Sequence, residues 1–146
     1  MSLRKQFETN TNKEVEGVAI EYGENKDGSR PTFWISRMSR ANTQYTKLLE
    51  TATRPYRRQM DLGTLANDVA DKVFLEVFVK SILKGWQNVA LSDVTGNEDD
   101  EGFATFTPDN AIALFKALPE LYEDLQAQAK SAALFKSESM EAETKN

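Results

Sequence analysis

The sequence predicts an α+β protein, mainly helical, in which an N-terminal β-hairpin precedes a small bundle of about four to five α-helices. Three observations carry this. Apolar residues alternate over Val15–Tyr22 and again over Thr32–Ser36. From Ser39 onward the apolar spacing changes to a helical period. Proline, glycine and capping residues then divide the remainder into helix-sized pieces. At 146 residues the chain fits one domain with a substantial core. The organisation expected is a polar leader over 1–14, a single globular domain over 15–136 (hairpin 15–36, helical part 39–135) and a flexible tail over 137–146.

In the hairpin, Val18, Ile20 and Tyr22 alternate with Ala19 and Glu21, and Phe33 and Ile35 flank Trp34. This is the pattern of half-buried strands. The polar, glycine-containing segment between them is too long for a tight turn, and Pro31 stands before the second strand, where its missing N–H costs least. In "SRANTQYTKLLETA", Ala41, Tyr45, Leu48, Leu49 and Ala52 share a helix face, with Ser39 as the expected N-cap and Pro55 as the interruption. "RPYRRQMDLG" reads as a short helical turn or small helix closed by Gly63. The longest helix is expected over Thr64–Lys84, with Thr64 capping its start and Gly85 ending it in a left-handed conformation.

That helix carries a stripe of Lys72, Glu76, Lys80 and Lys84. In its second half every other side is apolar: Phe74, Leu75, Val77, Phe78, Val79, Ile82 and Leu83. These cover an arc of roughly 240°, against about 100° for an ordinary surface helix. Such a helix is either central in the fold or covered by a partner. Trp86 is the expected anchor of the connection that follows, and Ser92–Gly102 an acidic loop. "TPDN" offers Thr107 as N-cap, Pro108 at the first helical position and Asp109 where the helix dipole favours an anion. Ile112, Phe115 and Leu118 should face inward. Pro119 starts the last helix, with Leu118, Leu121, Tyr122, Leu125, Ala129 and Ala132 along one face.

Composition narrows function more than any motif does. The chain has no cysteine and no histidine, which removes disulfides, thiolate and imidazole catalysis and the usual zinc sites. No GxGxxG, GxxxxGK[ST] or GxSxG motif is present. Asp93, Thr95 and Asn97 fit alternate positions of a calcium loop, but Glu98 stands where the sharp turn needs glycine. A solvated acidic loop is the favoured reading, and no cofactor or metal is expected. The amino terminus lacks the apolar stretch of a signal peptide and no run is long enough for a bilayer span, so a cytoplasmic location is expected.

The net charge of −5 hides an asymmetry. Arg37–Arg58 holds six basic residues against one acid, and Trp86–Asn146 twelve acids against four lysines. The two regions either steer partners or attract each other. Arginines interleaved with Tyr45 and Tyr56 would suit phosphates and bases, yet the chain is acidic overall, so nucleic acid is a disfavoured partner.

Taken in order, "VEGVAIEYG" with "PTFWISR", "RANTQYTKLL", "RPYRRQ", "LKGWQNV" and "FTPDNAIALFKALPELYEDL" ending in "AALF" resemble the tail assembly chaperones of long-tailed (siphovirus-type) bacteriophages. The resemblance covers roughly Val15–Phe135, and its most specific parts are the Gly-Trp-Gln-Asn and Phe-Thr-Pro-Asp-Asn blocks. The loop over 97–102 is longer and more acidic than that pattern. The resemblance implies a non-enzymatic protein of the infected host's cytoplasm, absent from the mature virion. Such a protein binds the tape measure protein, keeps it soluble and promotes tail tube assembly. The tail tube protein and a second copy of the chain are further candidate partners, and no membrane is implied. The alternative is a structural tail or head-completion protein retained in the virion. Candidate partner-binding residues are Phe74, Phe78 and Ile82 on the apolar arc, with Trp86 beside them. If they contact the client, replacing Phe78 with Asp should abolish holding without unfolding the protein.

Overall fold

The computed structural model describes residues 2–136. The expected tail over 137–146 lies outside them. Two short helices, α1 (Leu3–Phe7) and α2 (Thr11–Glu16), form on the segment read as a polar leader. Both are locally capped: Ser2 accepts from the Lys5 N–H, and Asn10 from the N–H groups of Asn12 and Lys13. The start of α2 is also tied to the segment around Phe135. The Asn10 N–H donates to the Phe135 carbonyl at 2.7 Å.

Gly17 ends α2 at φ 99°, and a Cβ there would lie 3.0 Å from the Ile35 carbonyl oxygen. Only glycine turns the chain at this point without displacing the neighbouring strand. Val15 therefore belongs to α2, and the first strand starts three residues later than its alternation suggests. Strand β1 (Val18–Glu21) pairs antiparallel with β2 (Thr32–Ile35), placing Ile20 opposite Phe33. Their long connection is fastened by Asn25, whose Nδ2 donates to the Asn88 carbonyl at 2.8 Å.

Helix α3 (Thr43–Thr53) is capped by Asn42 rather than Ser39. Asn42 Oδ1 accepts from the Tyr45 N–H at 3.1 Å, while its Nδ2 donates to the Arg37 carbonyl at 2.8 Å and to Ser36 Oγ at 3.2 Å. One amide thus joins strand, turn and helix, which Ser39 could not do. A 3₁₀ turn at Arg54–Tyr56 takes up Pro55, and α4 (Arg57–Leu62) ends at Gly63 with φ 67°. Thr64 belongs to that ending. Its N–H bonds back to the Gln59 carbonyl at 2.9 Å, so it does not cap the next helix, α5 (Asn67–Val77).

The largest departure follows. No continuous helix reaches Lys84. α5 gives way to a π turn at Phe78–Ile82, and the chain then enters a third strand, β3 (Leu83–Gln87). β3 pairs antiparallel with β2, Phe33 opposite Trp86, giving a three-stranded sheet of order β1-β2-β3. Gly85 is a strand residue without positive φ, not a helix cap. The freed carbonyls of the wide turn are captured. The Ser36 N–H donates to the Ile82 carbonyl at 2.8 Å, and Ser36 Oγ reaches the Ser81 and Ile82 carbonyls at 3.3 Å. A run apolar on nearly every side cannot reveal this break, because a buried helix and a buried strand look alike over so few residues.

Beyond β3, a short helix α6 (Leu91–Thr95) ends at Gly96 in a left-handed conformation. α7 (Pro108–Ala117) begins as the sequence predicts, with Thr107 Oγ1 accepting from the Asn110 N–H at 3.1 Å. α8 (Pro119–Lys130) follows after a bend at Leu118, which turns that side chain outward rather than in. Ala132, in the closing 3₁₀ turn over Ala132–Phe135, is also exposed. The core lies between one sheet face, carrying Ile20, Phe33 and Ile35, and the helical layer with Phe78, Ile82, Leu114, Phe115 and Leu125. The fold is α+β and mainly helical.

Candidate functional site

The four candidate contact residues do not share a surface. Phe78 and Ile82 are 0% exposed, whereas Phe74 is 39% exposed. A regular helix would have carried Phe74, Phe78 and Ile82 along one stripe, but the chain reaches the middle of the core at Phe78 and stays there. The wide apolar arc is therefore mostly core, and only its beginning faces outward. Trp86 is half-buried: its Nε1 donates to the Ala104 carbonyl at 2.9 Å, and its ring stands edge-on to Phe33 and Phe106 at 6.0 and 5.2 Å. It anchors the segment after β3.

Phe74 instead belongs to a groove of about 570 Å³ between α3, α5 and α8. Tyr45 and Leu49 line it from α3, Asp71 and Leu75 from α5, and Tyr122, Glu123, Gln126 and Lys130 from α8. Apart from the adjacent Tyr122 and Glu123, the residues of each set recur at three- or four-residue intervals, so each helix presents one face. Phe115 and Tyr122 stack at the floor with ring centroids 5.6 Å apart. Phe78 supports Tyr122 from the core side, edge-on at 5.2 Å. The buried aromatic thus holds the groove's floor in place without being part of its surface.

Burial keeps that floor uncharged. The Tyr122 phenol is pushed up to about 12, first by burial and then by nearby Tyr45 and Asp71. Burial also raises Tyr45. Charge enters only with Asp71, Lys116, Glu123 and Lys130, and none of these makes an ion pair among the described residues. The result is an aromatic and aliphatic floor inside a charged rim, which can hold apolar side chains.

Thr95 Oγ1 donates to Asp100 at 2.7 Å in the acidic loop, and no cluster of three or more metal-ligating side chains occurs among the described residues. Two of the six cations in the basic segment pair close by: Arg37 with Glu14 at 3.2 Å and Arg54 with Glu50 at 3.3 Å. Among the described residues, neither ion pair reaches the acidic C-terminal half. No helix of the described residues is long and apolar enough to cross a membrane.

The groove walls are visible in the sequence as helical faces, that of α5 as either core or a surface covered by a partner. Their distinguishing signal is that Tyr45, Tyr122 and the charges Asp71, Glu123 and Lys130 share those faces, a mixture that a closed interior does not tolerate. In comparisons with known proteins, the family model of the YdaY prophage protein matches residues 40–146, a span that includes all three groove helices. No curated protein and no solved structure matches the chain.

Proposed function

The chain belongs to the YdaY prophage protein family, and from that premise we propose that it is a phage tail assembly chaperone without enzymatic activity. Its client is the tape measure protein of the same phage, which it keeps soluble in the host cell while the tail tube assembles. The observation that carries this reading is the groove. It joins an exposed Phe74 to a floor of Leu75, Phe115 and Tyr122 under a charged rim, as suits reversible cover for apolar side chains of a client. The phage ancestry and the resemblance of the ordered blocks from Val15 to Phe135 support the choice of client.

The test is co-expression with the tape measure protein encoded by the same prophage, measuring how much of it stays soluble and co-purifies. A stable soluble complex is expected. Equal precipitation of the client with and without this protein would overturn the reading. Stoichiometric recovery of the protein from purified particles would replace it with a structural role in the virion.

A further inference from the structure

The rim of the groove carries an arrangement of charge that apolar cover alone leaves unused. Asp71 on α5 and Glu123 on α8 both line it. The two acids thus border one groove from two different helices, Asp71 on the side of Tyr122. Neither has an ion-pair partner among the described residues. Along the α8 side, Lys116 precedes the helix and Lys130 ends it, with Glu123 between them. The wall therefore alternates positive, negative, positive, and its acidic middle is the place left for a cation.

The walls also select a conformation. All three are helices whose backbone groups are bonded internally, so they present no strand edge with which an extended peptide could pair. A peptide strand over this floor would leave its own N–H and C=O groups unmet, whereas a helix brings its own hydrogen bonds. The lining face of α8 runs from Pro119 to Lys130. That is roughly 16 Å at 1.5 Å per residue, or about three turns of a helix lying alongside.

We propose that the groove takes an amphipathic helix of the partner protein, its apolar side chains against Phe74 and the aromatic floor and a lysine or arginine near its middle seated between Asp71 and Glu123. This rests on the reading of the groove as a client-holding surface and adds the client's conformation and charge.

Fluorescein-labelled peptides of about 18 residues, three helical turns plus ends, provide the probe. All carry leucines at helical spacing: one has lysines flanking the central leucine, a second has glutamates there, and a third is the lysine peptide with two central prolines. Anisotropy titration at low salt should give the lysine peptide an affinity about tenfold above the glutamate peptide, the scale of two partly exposed ion pairs exchanged for repulsions. The proline peptide should not bind. An Asp71→Lys/Glu123→Lys variant, changed only at exposed positions, should invert the order of the first two. Equal affinities, no inversion, absence of binding, or binding of the proline peptide would each overturn the proposal. Should the wild type hold the tape measure protein soluble and the double variant do so equally, with no charge preference among peptides, the helix-and-cation inference falls while the chaperone reading stands. Peptides binding in the expected order without any effect on tape measure solubility would give the reverse.

Discussion

Phe74 and Phe78 stand one helical turn apart in sequence and do different work. Phe78 is sealed against Phe115 and Tyr122, while Phe74 looks into the groove. Phe78→Ala should therefore cost about 3–5 kcal/mol, and Phe74→Ala no more than about 1 kcal/mol, in urea denaturation. Comparable losses at the two positions would contradict the burial described. The same contrast corrects the expectation that Phe78→Asp separates holding from folding. An aspartate at a fully buried site between aromatic rings is a desolvated charge, and the protein should unfold. Phe74 is the position at which contact and folding come apart. Trp86 was readable from sequence as an anchor because a large ring with one N–H needs both apolar cover and an acceptor. That the acceptor would be the Ala104 carbonyl was not, since nothing local links residues 86 and 104.

At the scale of elements, what could be read was what short-range chemistry decides. Thr107 with Pro108, Pro119 and Gly63 all act where the sequence places them. Asn42 displaces Ser39 as a cap because its amide also serves Ser36 and Arg37, partners that exist only once β2 and α3 are packed together. Asn42→Ala removes all three bonds. It should lower stability by about 1–2 kcal/mol, measured as a shift in the urea midpoint with an unchanged slope. An effect near zero would mean that Asn42 is not the cap. The passage from α5 through the π turn into β3 was hidden for the complementary reason. Its signal is tertiary: the Ile82 carbonyl is met by Ser36 and β3 by the open edge of β2, neither of which is encoded near residue 82.

The whole molecule joins a compact sheet-and-helix core to a surface groove built on the core's own aromatic side chains. This coupling gives it a pH dependence. The Tyr122 phenol is raised to about 12, mainly by burial, and the Tyr22 phenol is raised further by burial and its bond to Asp124. Both exceed the value of about 10 expected in the unfolded chain. Because the folded values are raised, the stabilisation is fully present below about pH 10 and is lost as pH climbs through the folded values. The urea midpoint should thus fall between about pH 10 and 12, and Tyr122→Phe should reduce that fall. An identical decline in the variant would deny Tyr122 its buried, neutral role. Lys84, lowered by burial, acts with the opposite sign in the neighbouring range, so the difference between variant and parent is the quantity to read.

The groove itself is a property of this largest scale. Its faces were legible one helix at a time, but no single helix says that three such faces stop short of closing on one another. In the proposed function, Phe74 and the floor beneath it hold the client. The most direct measurement is the amount of tape measure protein that co-purifies with the wild type and with Phe74→Asp at matched expression, the fold of each checked by circular dichroism. Phe74→Asp should stay folded and lose most of the client held by the wild type. A folded Phe74→Asp protein that retains the client in full would contradict this reading.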